Sequence, residues 1–540
     1  MPKPLEPLVI DNFNGSMTVF QNGDINSGRS FELNVAGYNP FLKPGTLTWS
    51  SAPIQIDSAG SIITDLVLAG KERVESGILY VYAIGHTGRV YKIQVNDPTT
   101  YNPNYDNPVL LATLSSGTPT FTRGGFIDFF GTTERIYIGH DKGVTRLDFD
   151  GTGESAISGT WVQNVPRPLK QFIGKLYIGN GNNLAEIDST GTVVTSTKLS
   201  PAFPPNTQVR DIDLSPDGTY LEAIVTRLTL PDITSATQDV TSTANSDSSI
   251  FKWNGIDTGY TSFVTYPSFS LNANTLFQNY QYVFGYDQFG MAMYNPIEKI
   301  VSLGKAMSPD PNAVASAGNL LMWLAPLYYN GMLEIDLFAW GSLDFEVGRT
   351  EIGAGFYDLM FLNASSPETD IIRSPFMLSV SNAAQGSSSN GYTNNAYGFP
   401  KIYFSTLETS STPTTDYKFY KWTPIANPNF SSGNIITNAV YQTQTQLFSK
   451  KVRVGEVRIY SEGWLADNSF HIDLIGSDRS AITNSGQTFT TGSNLTIGDD
   501  FAWYTPPIEP TYAIGVMITN LGTSNFVINK IEIDYAPAGK

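Results

Sequence analysis

The chain carries three histidines, His86, His140 and His471, and no cysteine. Without thiols it holds no disulfide framework, no thiolate metal site and no cysteine nucleophile. His86 and His140 close the same pattern, Ile84-Gly85-His86 and Ile138-Gly139-His140, and a third copy reads Ile178-Gly179-Asn180. Histidines at equivalent turns of neighbouring repeats could meet as a metal or catalytic pair. The plainer assignment takes precedence: a turn residue, because His, Asn and Asp tolerate left-handed backbone. No Gly-x-Ser-x-Gly elbow is present to expose a nucleophilic serine. Asp148-Phe149-Asp150-Gly151-Thr152-Gly153-Glu154 has the oxygens for calcium, but it lacks EF-hand spacing and follows a strand, where Asp-Gly is an ordinary turn. Ser215-Pro216-Asp217-Gly218 has a superficial likeness to the Asp box of sialidases without its tryptophan, and reads as a hairpin turn. Glycoside hydrolysis needs two carboxylates at a set separation, and 49 acidic residues single out no pair. Tyr328-Tyr329, Trp340, Trp464 and Trp503-Tyr504 could stack on sugar rings, although in a chain 12% aromatic such residues more often pack a core. No catalytic, cofactor-binding or metal residue is assigned. The expectation is a protein that is not an enzyme and uses no cofactor.

The elements that would position these groups are strands. Charged residues make up 15% of 540 residues, well below the roughly 25% of an ordinary soluble domain. Gly contributes 48 residues and hydrophobic types 41%, which excludes both helical arrays and disordered chains. Period-two alternation dominates. Leu79–Ile84 turns through Gly85-His86-Thr87-Gly88 into Arg89–Val95, a hairpin signature. The unit recurs at 135–148, 175–188, 209–225, 281–294, 320–337 and 401–422. Spacings of 40 and 54 residues between Gly85, Gly139 and Gly179 fall in the range of β-propeller blades. A single hairpin cannot bury both faces; blades stacked radially can.

The expected organisation is an N-terminal arm with first strands (1–49), a β-propeller (50–425) of seven blades, with six or eight as the alternatives, and a C-terminal jelly-roll-like β-sandwich (426–540), all-β throughout. Pro424–Gly433 reads as the linker. Polar stretches at 234–249 and 381–395 read as exposed loops.

Lys+Arg is 32 and Asp+Glu 49, so the net charge is 32 − 49 = −17. That argues against coating nucleic acid, which needs clustered cations. The longest basic run, Lys450-Lys451-Val452-Arg453, is short. No stretch reaches the roughly 18 apolar residues of a membrane helix, and the first residues lack the apolar core of a secretory signal. The expectation is a protein without a membrane segment.

The opening segment adds a family likeness. Ile10-Asp11-Asn12-Phe13-Asn14-Gly15-Ser16, then Phe31-Glu32-Leu33-Asn34, then Lys43-Pro44-Gly45-Thr46-Leu47-Thr48-Trp49 resembles the start of tail nozzle and related propeller-bearing virion proteins of tailed bacteriophages. Those begin with a Phe-x-Gly-Gly-like element and a Gly-x-Leu step into the first blade; here Ser16 replaces the second Gly, and the Arg that often follows the Gly-x-Leu step is missing. The C-terminal stretch from Lys450 to Lys540 resembles the end of phage structural proteins. The resemblance implies a homo-hexameric ring in the tail of the virion, synthesised in the host cytoplasm. Its neighbours would be adaptor and tail-fibre proteins. Genomic DNA would pass through without sequence-specific contact, past carboxylates that repel phosphate. The alternative is a secreted or surface carbohydrate-binding propeller, possibly a glycoside hydrolase with a jelly-roll binding module. A propeller scaffold for other proteins is a third reading.

Overall fold

The computed structural model describes residues 6–11, 13, 34–37, 46–56, 62–95, 106–227, 247–266, 269–277, 280–287, 290–295, 298–303, 308–317, 320–329, 332–341, 355–363, 369–380, 401–410, 415–422, 435–443, 445–478 and 480–538. Among these there is no α-helix, and no helix long and apolar enough to cross a membrane. The linker 424–433, the loop 381–395 and residues 234–246 lie outside the described residues; 248 and 249 begin a strand.

Three strands precede the first blade: β1 (Glu6–Ile10), β2 (Asn34–Ala36) and β3 (Ile54–Gln55). Seven four-stranded sheets follow. Blade 1 is β4 (Val67–Glu75), β5 (Ile78–Gly85), β6 (Arg89–Gln94) and β7 (Asn107–Thr113). Blade 2 is β8 (Phe126–Phe130), β9 (Arg135–His140), β10 (Gly143–Leu147) and β11 (Ser155–Ala156). Blade 3 is β12 (Leu169–Phe172), β13 (Lys175–Gly179), β14 (Leu184–Ile187) and β15 (Val193–Thr195). Blade 4 is β16 (Gln208–Leu214), β17 (Leu221–Thr226), β18 (Ser248–Trp253) and β19 (Thr261–Tyr266). Blade 5 is β20 (Ser270–Phe277), β21 (Tyr280–Asp287), β22 (Gly290–Asn295) and β23 (Glu298–Leu303). Blade 6 is β24 (Val314–Ala317), β25 (Leu320–Tyr329), β26 (Met332–Gly341) and β27 (Gly355–Asn363). Blade 7 takes β28 (Thr369–Val380), β29 (Lys401–Ser410) and β30 (Thr415–Trp422) from its own region and β3 from the N-terminal segment as its fourth strand. Ile54 lies opposite Lys421, so the ring closes by pairing distant parts of the chain.

The hairpins read from sequence are the second and third strands of six blades. In blade 4 the hairpin at 209–225 is instead β16–β17, the first and second strands. Its Pro-Asp-Gly turn joins those two strands directly, whereas β17 ends at Thr226 and β18 begins only at Ser248. The first strands of consecutive blades contact one another around the axis, from β4 through β28 and back to β4. Buried clusters fill each seam. Tyr82 and Ile84 meet Phe129 and Ile138 between blades 1 and 2; Ile224 and Ile250 meet Leu271 and Val283 between blades 4 and 5; Phe376 and Phe419 meet Val81 and Tyr91 between blades 7 and 1. This is the radial burial that a lone hairpin lacks.

The remaining strands, β31 (Val440–Gln442), β32 (Gln446–Ser461), β33 (Ser469–Ile475), β34 (Gln487–Thr490), β35 (Phe501–Tyr504), β36 (Thr511–Asn520) and β37 (Ile528–Pro537), form one nine-stranded sheet with β1 and β2, curled into a half-barrel. β1 runs antiparallel to β37, with Leu8 opposite Ile533, and β2 to β31. The described N-terminal strands β1 and β2 thus belong to the same sheet as β31–β37. One core joins the half-barrel to blades 6 and 7: Phe13, Leu47 and Trp49 pack with Leu320 and Met322 of blade 6, Phe404 and Trp422 of blade 7, and Ile459, Phe470 and Ile518 of the half-barrel. Trp422 Nε1 donates to the Ser51 carbonyl at 2.9 Å, and Trp49 N to Asn525 Oδ1 at 3.2 Å.

Candidate functional site

Antiparallel alternation places the starts of the innermost strands, the turns between second and third strands, and the blade-to-blade connections on one face of the propeller. Here the innermost strands are irregular. Register shifts in β4, β16 and β20 leave Leu68, Arg210 and Asn272 as extra residues. A bulge re-aims its side chain, and these three grip one segment. Arg210 Nε donates to Asn272 Oδ1 at 3.0 Å and its guanidinium faces Asp310 at 3.5 Å. Asn272 Nδ2 donates to the Pro309 carbonyl at 2.5 Å. Asn312 Nδ2 donates to the carbonyls of Leu68 at 2.9 Å and Gly125 at 2.6 Å. Segment 308–313, which leads from blade 5 to blade 6 and includes the single-turn helix Pro311–Ala313, thus reaches across the axis to blades 1 and 2 and spans that mouth.

Deeper along the axis lies a charged cluster. Asp128 of β8 accepts from Lys71 of β4, from Gln171 Nε2 of β12 at 3.3 Å and from the backbone of Phe129 at 2.8 Å. Lys170 of β12 pairs with Asp213 of β16 at 2.5 Å. Asp211 Oδ2 accepts from the backbone N–H of Asn274 at 3.1 Å. Desolvation among the inner strands pushes the half-buried Asp211 carboxyl up to about 7, and the Asp213 charge adds to it, against hydrogen bonds from Ile212 and Asn274 that oppose it. Burial works against the Lys170 ammonium, but Asp213, Asp211 and Asp128 hold it above its ordinary value. Neighbouring carboxyls with one paired and one poised near neutrality can hold and exchange a proton.

This cluster was not assigned from sequence. Its members spread over blades 1 to 4 and make no motif. The available signal was Arg210-Asp211-Ile212-Asp213, three charges in a strand that a propeller places innermost.

The residues singled out from sequence do not converge on it. His86 pairs with buried Asp65, which also accepts from Thr87 Oγ1 at 2.6 Å. His140 Nε2 meets Thr145 Oγ1 at 3.1 Å, and burial, with Arg167 and Lys142 nearby, lowers the ring to about 4. Asn180 Oδ1 accepts from Arg167 at 2.8 Å and from Val162 N at 2.9 Å. Each of the three ties its turn to the strand or segment beside it. Their backbones are not left-handed, contrary to the expectation; Gly88 (φ 85°) and Gly181 (φ 64°) take that role. His471 lies in the half-barrel against Thr488 at 2.8 Å and Asp473 at 3.2 Å. The aligned glycines answer to close approach: a Cβ on Gly139 would lie 2.3 Å from the Arg167 carbonyl oxygen, and one on Gly85 2.1 Å from Asp65.

In the Asp148–Glu154 loop the acidic side chains are spoken for. Asp148 pairs with Arg135 at 2.7 Å, Asp150 caps Thr152 N at 2.9 Å, and Glu154 accepts from Ser115 N at 2.7 Å and Ser116 N at 2.6 Å. Ser215 Oγ donates to Asp217 at 2.5 Å within its turn, which lowers that carboxyl to about 2. Trp464 is fully buried and stacks on Phe470; Trp340 packs against the core between blades 5 and 6; Tyr504 is buried; Trp503 is exposed. The side chains of Tyr328 and Tyr329 lie outside the described residues.

No family model and no curated protein matches the chain. Among solved structures it is similar to the extracellular domain of a hybrid two-component system from B. thetaiotaomicron, with 10% identity over 94% of this chain and 65% of that one, TM-score 0.39. It is also similar to prolyl endopeptidases (11% identity, 71% of this chain and 55% of that one, TM-score 0.32). A third likeness is the β-propeller domain of the Trilobed protease from Pyrococcus furiosus (10% identity, 68% and 98%, TM-score 0.30). The chain thus spans 65% and 55% of the first two structures. These likenesses concern propeller architecture and carry nothing about activity.

Proposed function

We propose that the chain is a structural subunit of a bacteriophage tail, one copy of a nozzle-like homo-hexameric ring that lines or closes the DNA ejection channel, with its half-barrel serving as a jelly-roll-like module. It performs no catalysis, sits in the virion against adaptor and fibre proteins, and lets genomic DNA pass without reading its sequence. The observation that carries this reading is the fate of the N-terminal residues that resemble nozzle proteins. Phe13, Leu47 and Trp49 are wholly buried in the core that unites half-barrel and blades 6 and 7, so the resemblance falls on residues that set the architecture. The anchored segment also fits: β1 and β2 complete the half-barrel and β3 completes blade 7, so the two modules form one interlocked block suited to bearing load. Because segment 308–313 spans one mouth of the propeller's own axis, DNA would pass between subunits. Immunogold labelling of purified particles tests the reading. Label at the distal tail supports it; particles that lack the chain sink it.

A second reading, a carbohydrate-binding propeller, is supported by Phe501 and Trp503, exposed on one face of β35. Loss of glycan-array signal on replacing Trp503 by alanine would favour it.

A further inference from the structure

The half-barrel carries two exposed patches of opposite charge at the two ends of one long strand. At the start of β32, four residues (448–451) stand opposite the single Tyr512 of β36, because the register jumps between Leu447↔Ala513 and Val452↔Thr511. The excursion presents Lys450 and Lys451 to solvent, with exposed Arg453 just beyond it in the ladder to β37, beside exposed Leu447 (50%) and Tyr512 (54%). Lys451 Nζ stands 5.6 Å from the centre of the Tyr512 ring. These cations belong to the longest basic run of a chain whose net charge is −17.

At the other end of β32 the sign is reversed. Ser461 N donates to the Asp500 carbonyl at 2.8 Å, Trp464 N to that of Asp499 at 3.0 Å, and Gly498 N to that of Trp464 at 2.9 Å. Those bonds bring 461–467 and 497–503 together. The side chains of Glu462, Asp467, Asp499 and Asp500 are exposed there, around exposed Leu465, Ile497 (63%) and Trp503 (56%). Nine residues of strand separate Lys451 from Tyr460, about 30 Å at the usual rise. The two patches therefore cannot touch within one chain.

We infer that the basic patch Leu447–Lys450–Lys451–Arg453–Tyr512 of one copy docks on the acidic patch Glu462–Asp467–Asp499–Asp500–Trp503 of the next copy. The occupant is a second copy of this chain. Both patches pair charge with large exposed apolar side chains, the composition of an interface centre with a charged rim. They are different surfaces of the molecule, so the contact is head-to-tail, and a head-to-tail contact closes into a ring when its rotation permits. This inference rests on the ring reading and names the surfaces that build it.

The test uses the full chain, measured by native mass spectrometry and light scattering at low and high salt. The triple variant K450E/K451E/R453E and the double variant D499K/D500K should each weaken assembly by at least about tenfold and abolish its salt dependence, with unchanged thermal melting. Combining both reversals in one chain should restore assembly. Oligomers equally stable in either reversed variant overturn the interface and leave the ring reading intact. A wild-type chain that stays monomeric at high concentration overturns the ring reading and the interface together.

Discussion

Asp106 and Lys421 form a buried ion pair across the seam where the last blade meets the first. Their Oδ2 and Nζ atoms are 2.9 Å apart, with side-chain exposures of 0% and 3%. Tyr403 of β29 donates to the same carboxylate at 2.9 Å. Lys421 also lies opposite Ile54 of β3, the strand that closes blade 7. A charged contact thus sits where ring closure depends on pairing residues far apart in sequence.

Lys421→Met leaves the Asp106 carboxylate buried without its cation. The expected loss is about 3–5 kcal/mol, and a double replacement with Asp106→Leu should recover most of it. Urea unfolding of both variants checks this. Equal losses in the single and double variants would show that the pair contributes nothing specific.

Asn312→Leu removes two hydrogen bonds that hold segment 308–313 to blades 1 and 2. The expected cost is about 1–3 kcal/mol, since two buried carbonyls lose their donor. Hydrogen exchange should accelerate in that segment and at the start of β4. Unaltered exchange there would mean that the segment is held by other contacts.

Asp211 makes stability depend on pH in a stated direction. Its folded-state value of about 7 lies above the ordinary carboxylate range, so the folded chain binds the extra proton. The contribution is full at acid pH and is lost as pH rises from about 4 to about 7. Asp211→Asn should remove that decline, while Asp213, Lys170 and Arg210 remain around the site. Parallel stability profiles of variant and wild type between pH 4 and 8 would contradict it.

His140 acts with the opposite slope. Burial holds its ring at about 4, so the unfolded chain takes up the proton first as pH falls below about 6.5. Its contribution is lost between about 6.5 and about 4. An imidazole titration followed by NMR should show a midpoint well below the ordinary value; a midpoint near 6.5 would refute the burial argument.

The hairpins were legible because strand alternation and glycine turns are local. Six of the seven mapped onto second and third strands, and the exception arose where the tight turn of blade 4 follows its first strand. What the sequence left hidden is long-range. Nothing local to Ile54 says that it pairs with Lys421, and nothing local to Leu8 says that it faces Ile533. Of the three aligned residues only His86 lies in a turn, while His140 ends β9; neighbouring glycines take the left-handed conformation, and the side chains of His86, His140 and Asn180 bind adjacent segments. The axial cluster was illegible because Lys71, Asp128, Lys170 and Asp211 meet only when four blades are arranged around one axis.

If copies of this chain build a ring around a channel, electron microscopy of the purified chain should show it. Closed six-membered rings are expected, with an open centre formed between subunits and propellers arrayed around it. Isolated two-module particles at every concentration, or open chains with no central aperture, would contradict it.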